Sequence, residues 1–127
     1  MSDPRMVKYA DVLVNYSTKV KPGDWVHINA GRLAIPLVSE IVDQVVKAGG
    51  HPTVDLDSDL ISDAFYRNAT KEQVNWANPL DMLMIKDVDV AIFIAAPENS
   101  RTLNAVDPAL QQARQQAYQK WYQIYMK

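Results

Sequence analysis

Residues 25–56, WVHINAGRLAIPLVSEIVDQVVKAGGHPTVDL, decide the fold. Trp25-Val26-His27-Ile28-Asn29 is rich in β-formers and ends at Ala30-Gly31, which reads as a strand and its stop. From Ala34 the apolar spacing changes. Ile35, Val38, Ile41, Val42, Val45 and Val46 recur at helical intervals and are closed by Gly49-Gly50, where a left-handed C-terminal cap favours glycine. Pro52-Thr53-Val54-Asp55-Leu56 then returns to strand character. Strand, helix and strand within about 30 residues form a βαβ unit.

On the N-terminal side, Lys21-Pro22-Gly23-Asp24 is a turn. Before it, Asp3-Pro4 pairs an N-cap carboxylate with proline at the first helical position. Met6, Tyr9, Val12, Leu13 and Tyr16 follow at helical spacing and predict a helix near residues 4–18. On the C-terminal side, three helical pieces are predicted over 60–66, from a capping box at Thr70-Lys71-Glu72-Gln73, and over 79–85. They read as a crossover layer. Val88-Asp89-Val90-Ala91-Ile92-Phe93-Ile94-Ala95 is nearly continuous in apolar residues, which predicts a strand covered on both faces at the centre of a parallel sheet. Asp107-Pro108 opens a last helix with an apolar stripe of Leu110, Ala113, Ala117, Trp121 and Ile124, and Tyr118, Tyr122 and Tyr125 beside it. That helix is still periodic at Lys127, with no stop signal, and so wide an apolar face calls for a partner, either a following domain or another subunit. The expected fold is a small three-layer parallel α/β sheet of flavodoxin or Rossmann type with flanking helices. It covers residues 1–107, and a long C-terminal helix spans residues 108–127.

Composition narrows the function. The 127 residues suffice for one core, burying roughly two thirds of the unfolded surface. A net charge of -2 with scattered Lys and Arg gives no field for a phosphate backbone, so no nucleic-acid partner is expected. No run approaches the roughly 20 apolar residues of a membrane span, and Met1-Ser2-Asp3-Pro4-Arg5 lacks the core of a signal peptide, so a cytoplasmic protein without a membrane partner is expected. The absence of cysteine removes disulfides, thiolate zinc sites and cysteine nucleophiles.

In open parallel sheets ligands gather at the carboxyl ends of strands, here residues 29–32, 56–59 and 96–101. Ala30-Gly31-Arg32-Leu33-Ala34 opens a helix after a strand but has one glycine of the three in a dinucleotide fingerprint, so Gly31 reads as a turn residue. Asp55-Leu56-Asp57-Ser58-Asp59 alternates carboxylates, yet Leu60 and Tyr66 stand where a calcium loop needs glycine and glutamate. Asp55 and Asp57 at a strand end remain an alternative Mg²⁺ site of receiver-like type, against solvated turn carboxylates with Asp59 as an N-cap. His27 and His51 are too few to read as a metal site, and neither a Gly-x-Ser-x-Gly elbow nor a His-Glu-x-x-His helix is present. Pro97-Glu98-Asn99-Ser100-Arg101 presents acid, amide, hydroxyl and guanidinium in succession, but lacks a partner base or metal for acid–base catalysis.

Taken in order, Asp3-Pro4-Arg5, Val20-Lys21-Pro22-Gly23-Asp24, Ala48-Gly49-Gly50-His51-Pro52, Phe65-Tyr66-Arg67, Ala96-Pro97-Glu98-Asn99-Ser100-Arg101 and Val106-Asp107-Pro108 resemble the N-terminal domain of the aminopeptidase T and aminopeptidase S type metallopeptidases. The resemblance implies a cytoplasmic exopeptidase that removes N-terminal residues from peptides with two divalent metal ions, zinc or cobalt. It implies that the Glu, His and Asp ligands lie in a larger C-terminal domain, so that this chain holds no metal, is inactive alone, and has that catalytic domain as its partner, with a homodimer expected. Glu98, Asn99 and Arg101 are the candidates for facing the substrate cleft. A stand-alone Mg²⁺ module or an oligomerisation domain built on the Tyr-rich helix is the alternative.

Overall fold

A computed structural model describes residues 3–98 and 107–126. The chain divides into two compact units. The first contains the described residues up to Asp57 with 88–97; the second contains 58–87, Glu98 and 107–126.

The first unit is a three-stranded parallel sheet in the order β2-β1-β3, with β1 at Trp25–Gly31, β2 at His51–Asp57 and β3 at Val90–Ile94. Helix α1, Pro4–Asp11, starts where Asp3 accepts the Arg5 N–H at 2.8 Å. It runs on as a π-helical segment, Val12–Ser17, that ends with the Thr18 hydroxyl donating to the Leu13 carbonyl at 2.7 Å. After β1 a 3₁₀ turn, Arg32–Ala34, leads into α2, Ile35–Lys47. Val26, Ile28 and Ala30 point to one face of β1 and form the core with Ala10, Val14, Val38, Ile41, Val45 and Ile92. Each Val or Ile of this set fully withdrawn from water contributes roughly 1.5–3 kcal/mol. The stripe predicted for α2 is narrower than expected, because Ile35 and Val46 are exposed.

The expectation that 88–95 forms the central strand is corrected. β1 is central, and β3 pairs with it alone from the edge, leaving Phe93 39% exposed. β1 alternates between a fully buried face and a half-buried polar one, and the apolar run in β3 does not mark the middle of the sheet. β2 is the opposite edge. His51 donates its N–H to Asp24 O at 2.7 Å, so its neighbour Pro52 turns its nitrogen away from β1, the side on which a missing N–H costs no ladder bond.

In the second unit, α3 at Asp59–Asn68, α4 at Lys71–Val74 and α5 at Pro79–Asp87 match the three predicted pieces. The capping box is formed: Thr70 N donates to Gln73 Oε1 at 2.8 Å and Gln73 N to Thr70 Oγ1 at 3.2 Å. The cap of α3 is Ser58 rather than Asp59; the Ser58 hydroxyl accepts Leu60 N–H at 3.1 Å. The predicted long last helix is two helices, α6 at Pro108–Ala117 and α7 at Gln119–Tyr125, broken at Tyr118. No described helix is long and apolar enough to cross a membrane.

Candidate functional site

The carboxyl end of the sheet in the first unit is built on a close approach. At Gly31 the φ of −67° is open to any residue, but a Cβ there would stand 2.8 Å from Ala96 O and 2.9 Å from Ala96 Cβ. The turn reading of Gly31 is therefore replaced by a packing role, in which the missing side chain lets the segment after β3 lie against the end of β1. Glycine at a strand end was the available signal.

On the polar side of the sheet, Thr53 Oγ1 accepts from Trp25 Nε1 at 2.8 Å and bonds His27 Nδ1 at the same distance. Asn29 Nδ2 reaches Asp55 Oδ2 at 3.5 Å. Asp55 and Asp57 both lie on β2 and project to this side, about 6.6 Å apart along the strand by the usual rise. That spacing sets them side by side on one face of the strand. Among the described residues no three His, Asp or Glu side chains come together as ligands for a metal ion. His27 sits within β1 and His51 opens β2. Glu98 is half-buried and engaged in an interaction, whereas Asn99 and Arg101 lie outside the described residues.

Of the segments quoted above as a motif series, those at Asp3, Lys21-Pro22-Gly23-Asp24, Ala48-Gly49-Gly50-His51-Pro52 and Asp107 are caps and junctions. Gly23 N donates to Gly49 O at 2.9 Å, and Gly49, at φ 86°, has its Cβ direction 3.1 Å from Pro22, so Lys21-Pro22-Gly23-Asp24 and Ala48-Gly49-Gly50-His51-Pro52 clasp each other. Asp107 accepts Ala109 N–H at 2.9 Å and caps α6. The described contacts of these segments hold the frame.

In the second unit a polar network converges on Tyr118. Its hydroxyl donates to Asp81 Oδ2 at 2.9 Å and accepts from Asn78 N at 3.1 Å. Burial, with the Asp81 carboxylate as a smaller cause, raises the phenol above its ordinary range against the opposing Asn78 hydrogen bond. Arg114 Nη1 donates to Trp76 O at 2.8 Å and Val74 O at 3.3 Å, and the guanidinium lies over the Tyr118 and Phe65 rings at 4.8 and 5.2 Å. Trp121 Nε1 donates to Asp81 O at 3.2 Å and its ring stacks on Tyr125. The helix breaks at Tyr118 (φ −98°, ψ 11°), where the side chain bonds Asn78 and Asp81 of α5 and its approach, while Arg114 of α6 reaches Val74 of α4.

The profile of a family described as thermophilic metalloprotease (M29) matches residues 2–127. A sequence search of curated proteins gave no match. Among solved structures, wild-type AmpT from Thermus thermophilus aligns with a TM-score of 0.75 at 17% identity, over 94% of this chain and 32% of that one. The likeness is one of fold, and the chain spans about a third of the AmpT chain.

Proposed function

Because the chain belongs to the thermophilic metalloprotease (M29) family, we propose that it is the N-terminal accessory domain of a metal-dependent aminopeptidase, inactive by itself. The observation that carries this reading is the family match over residues 2–127. Family membership implies a peptidase that uses divalent metal. The described residues here do not fit such a centre, so the zinc or cobalt pair is assigned to a further, catalytic domain and no chemical step is derived on this chain. Its own contribution is one wall of the cleft: the clasp of the two glycine turns fixes the amino end of the sheet, the β1 core fixes its middle, and Glu98, Asn99 and Arg101 follow β3 at the opposite, carboxyl end as the candidates for facing the peptide. A homodimer in the cytoplasm belongs to the same reading.

The test compares this chain with a product of the uninterrupted reading frame, using an aminoacyl-anilide with added Zn²⁺ or Co²⁺. Turnover by the longer product alone is the expected result. Turnover by residues 1–127 in proportion to their concentration overturns the proposal.

A further inference from the structure

The second unit contains a pocket of about 270 Å³ lined by Tyr66, Gln111, Arg114, Gln115, Tyr118 and Tyr122. Three phenol-bearing rings form its apolar walls, two primary amides supply polar groups, and Arg114 is the one ionised lining residue. Its size lies just below the range of pockets for drug-sized ligands and suits a single small metabolite. The guanidinium is held before any ligand arrives. Both Nη1 hydrogens are used on the Trp76 and Val74 carbonyls, Nη2 gives a long 3.4 Å bond to the Tyr118 hydroxyl, and the Tyr118 and Phe65 rings lie against the group. An arginine has five N–H donors. Those bonds account for three, so Nε–H and one Nη2–H have no acceptor among the described residues. The Nε/Nη2 edge of a guanidinium is a fork that matches the two oxygens of a carboxylate.

We infer that this pocket binds a small carboxylate borne on a flat or aromatic group, with the carboxylate on the Nε/Nη2 edge of Arg114 and the flat group between the tyrosine rings. Orientation comes from the fork, and the rigid mount means little side-chain freedom is lost on binding. Asp81 bonds the Tyr118 hydroxyl beside this arrangement. It reaches Arg114 through the Tyr118 hydroxyl and not through the free edge, so that edge is not closed by an internal salt bridge. The inference is independent of the peptidase reading, since it rests on the Arg114 pocket of the second unit and its mount on Phe65, Val74 and Trp76.

The test is titration of the whole chain with sodium benzoate at constant ionic strength, followed by two-dimensional NMR. Benzamide serves as the neutral probe of the same shape. The expected result is saturable shifts confined to residues around the pocket, with benzamide at least about tenfold weaker, the ratio for loss of one charge-assisted contact. Arg114→Lys keeps the charge and removes the fork, and should weaken benzoate by a similar factor. Because Arg114 also bonds two carbonyls, Gln115→Trp, at an exposed rim position, gives a second arm that fills the mouth without touching the mount. Loss of binding in Gln115→Trp supports the inference. Absence of saturable shifts, equal affinity for benzamide, or unchanged binding in Gln115→Trp overturns it.

Discussion

Gly31→Ala is the sharpest test of how the end of the sheet is built, because two effects of opposite sign compete there. At φ −67° alanine is unstrained, and reduced freedom of the unfolded chain favours it by about 0.4–1 kcal/mol. Against this, the new methyl would lie 2.8 Å from a backbone oxygen and 2.9 Å from the Ala96 methyl, and neither belongs to a flexible side-chain end. Overpacking of that kind costs about 1–3 kcal/mol. The clash wins, leaving a net loss of about 1–2 kcal/mol. With a urea m-value of roughly 1–3 kcal/mol/M, the midpoint followed by far-UV circular dichroism should fall by about 0.5–1 M. Ala96→Gly removes the methyl contact and leaves the carbonyl contact, so the double variant should recover part of the loss, with a coupling of at least about 0.5 kcal/mol. A midpoint in Gly31→Ala equal to or above that of the parent chain would refute the packing role.

Two further outcomes follow from the second unit. Ser58→Ala should lower stability by about 1 kcal/mol, since its hydroxyl caps α3 in a buried position, while Asp59→Ala, at the first helical residue, should lose about half that or less; the reverse order in thermal melts would restore Asp59 as the cap. Tyr118 has a folded-state pKa above the unfolded value of 10.0, so folding retains a proton that the unfolded chain releases. Its contribution is complete below that value and is lost as pH rises from there through the raised pKa. Urea midpoints should therefore decline above pH 10 more steeply in the parent than in Tyr118→Phe, and parallel declines would sink the assignment.

The reading of the last helix shows where sequence periodicity stops being informative. Leu110, Ala113, Ala117, Trp121 and Ile124 do form one stripe with Ala113 buried, but the same spacing is compatible with a continuous helix or with a break whose halves stay in phase. At the break, Asp81 and Asn78, some 40 residues earlier in sequence, meet one phenol. Pattern within a helix carries no record of a partner so distant. Glu98 is placed after β3 as the sequence order required, and the rest of its loop lies beyond the described residues.

The sequence by itself determined the βαβ unit, the parallel sheet, the capping box at Thr70 and the helix starts at Asp3 and Asp107. These rest on hydrophobic period and on side chains that satisfy backbone groups within a few residues. Tertiary structure alone decided that β1 rather than β3 is central, that Gly31 is required by Ala96, and that Arg114, beside a pocket, bonds the Val74 and Trp76 carbonyls. Strand order, close approach and the saturation of donors are properties of chain segments brought together from far apart, and local pattern has no term for them.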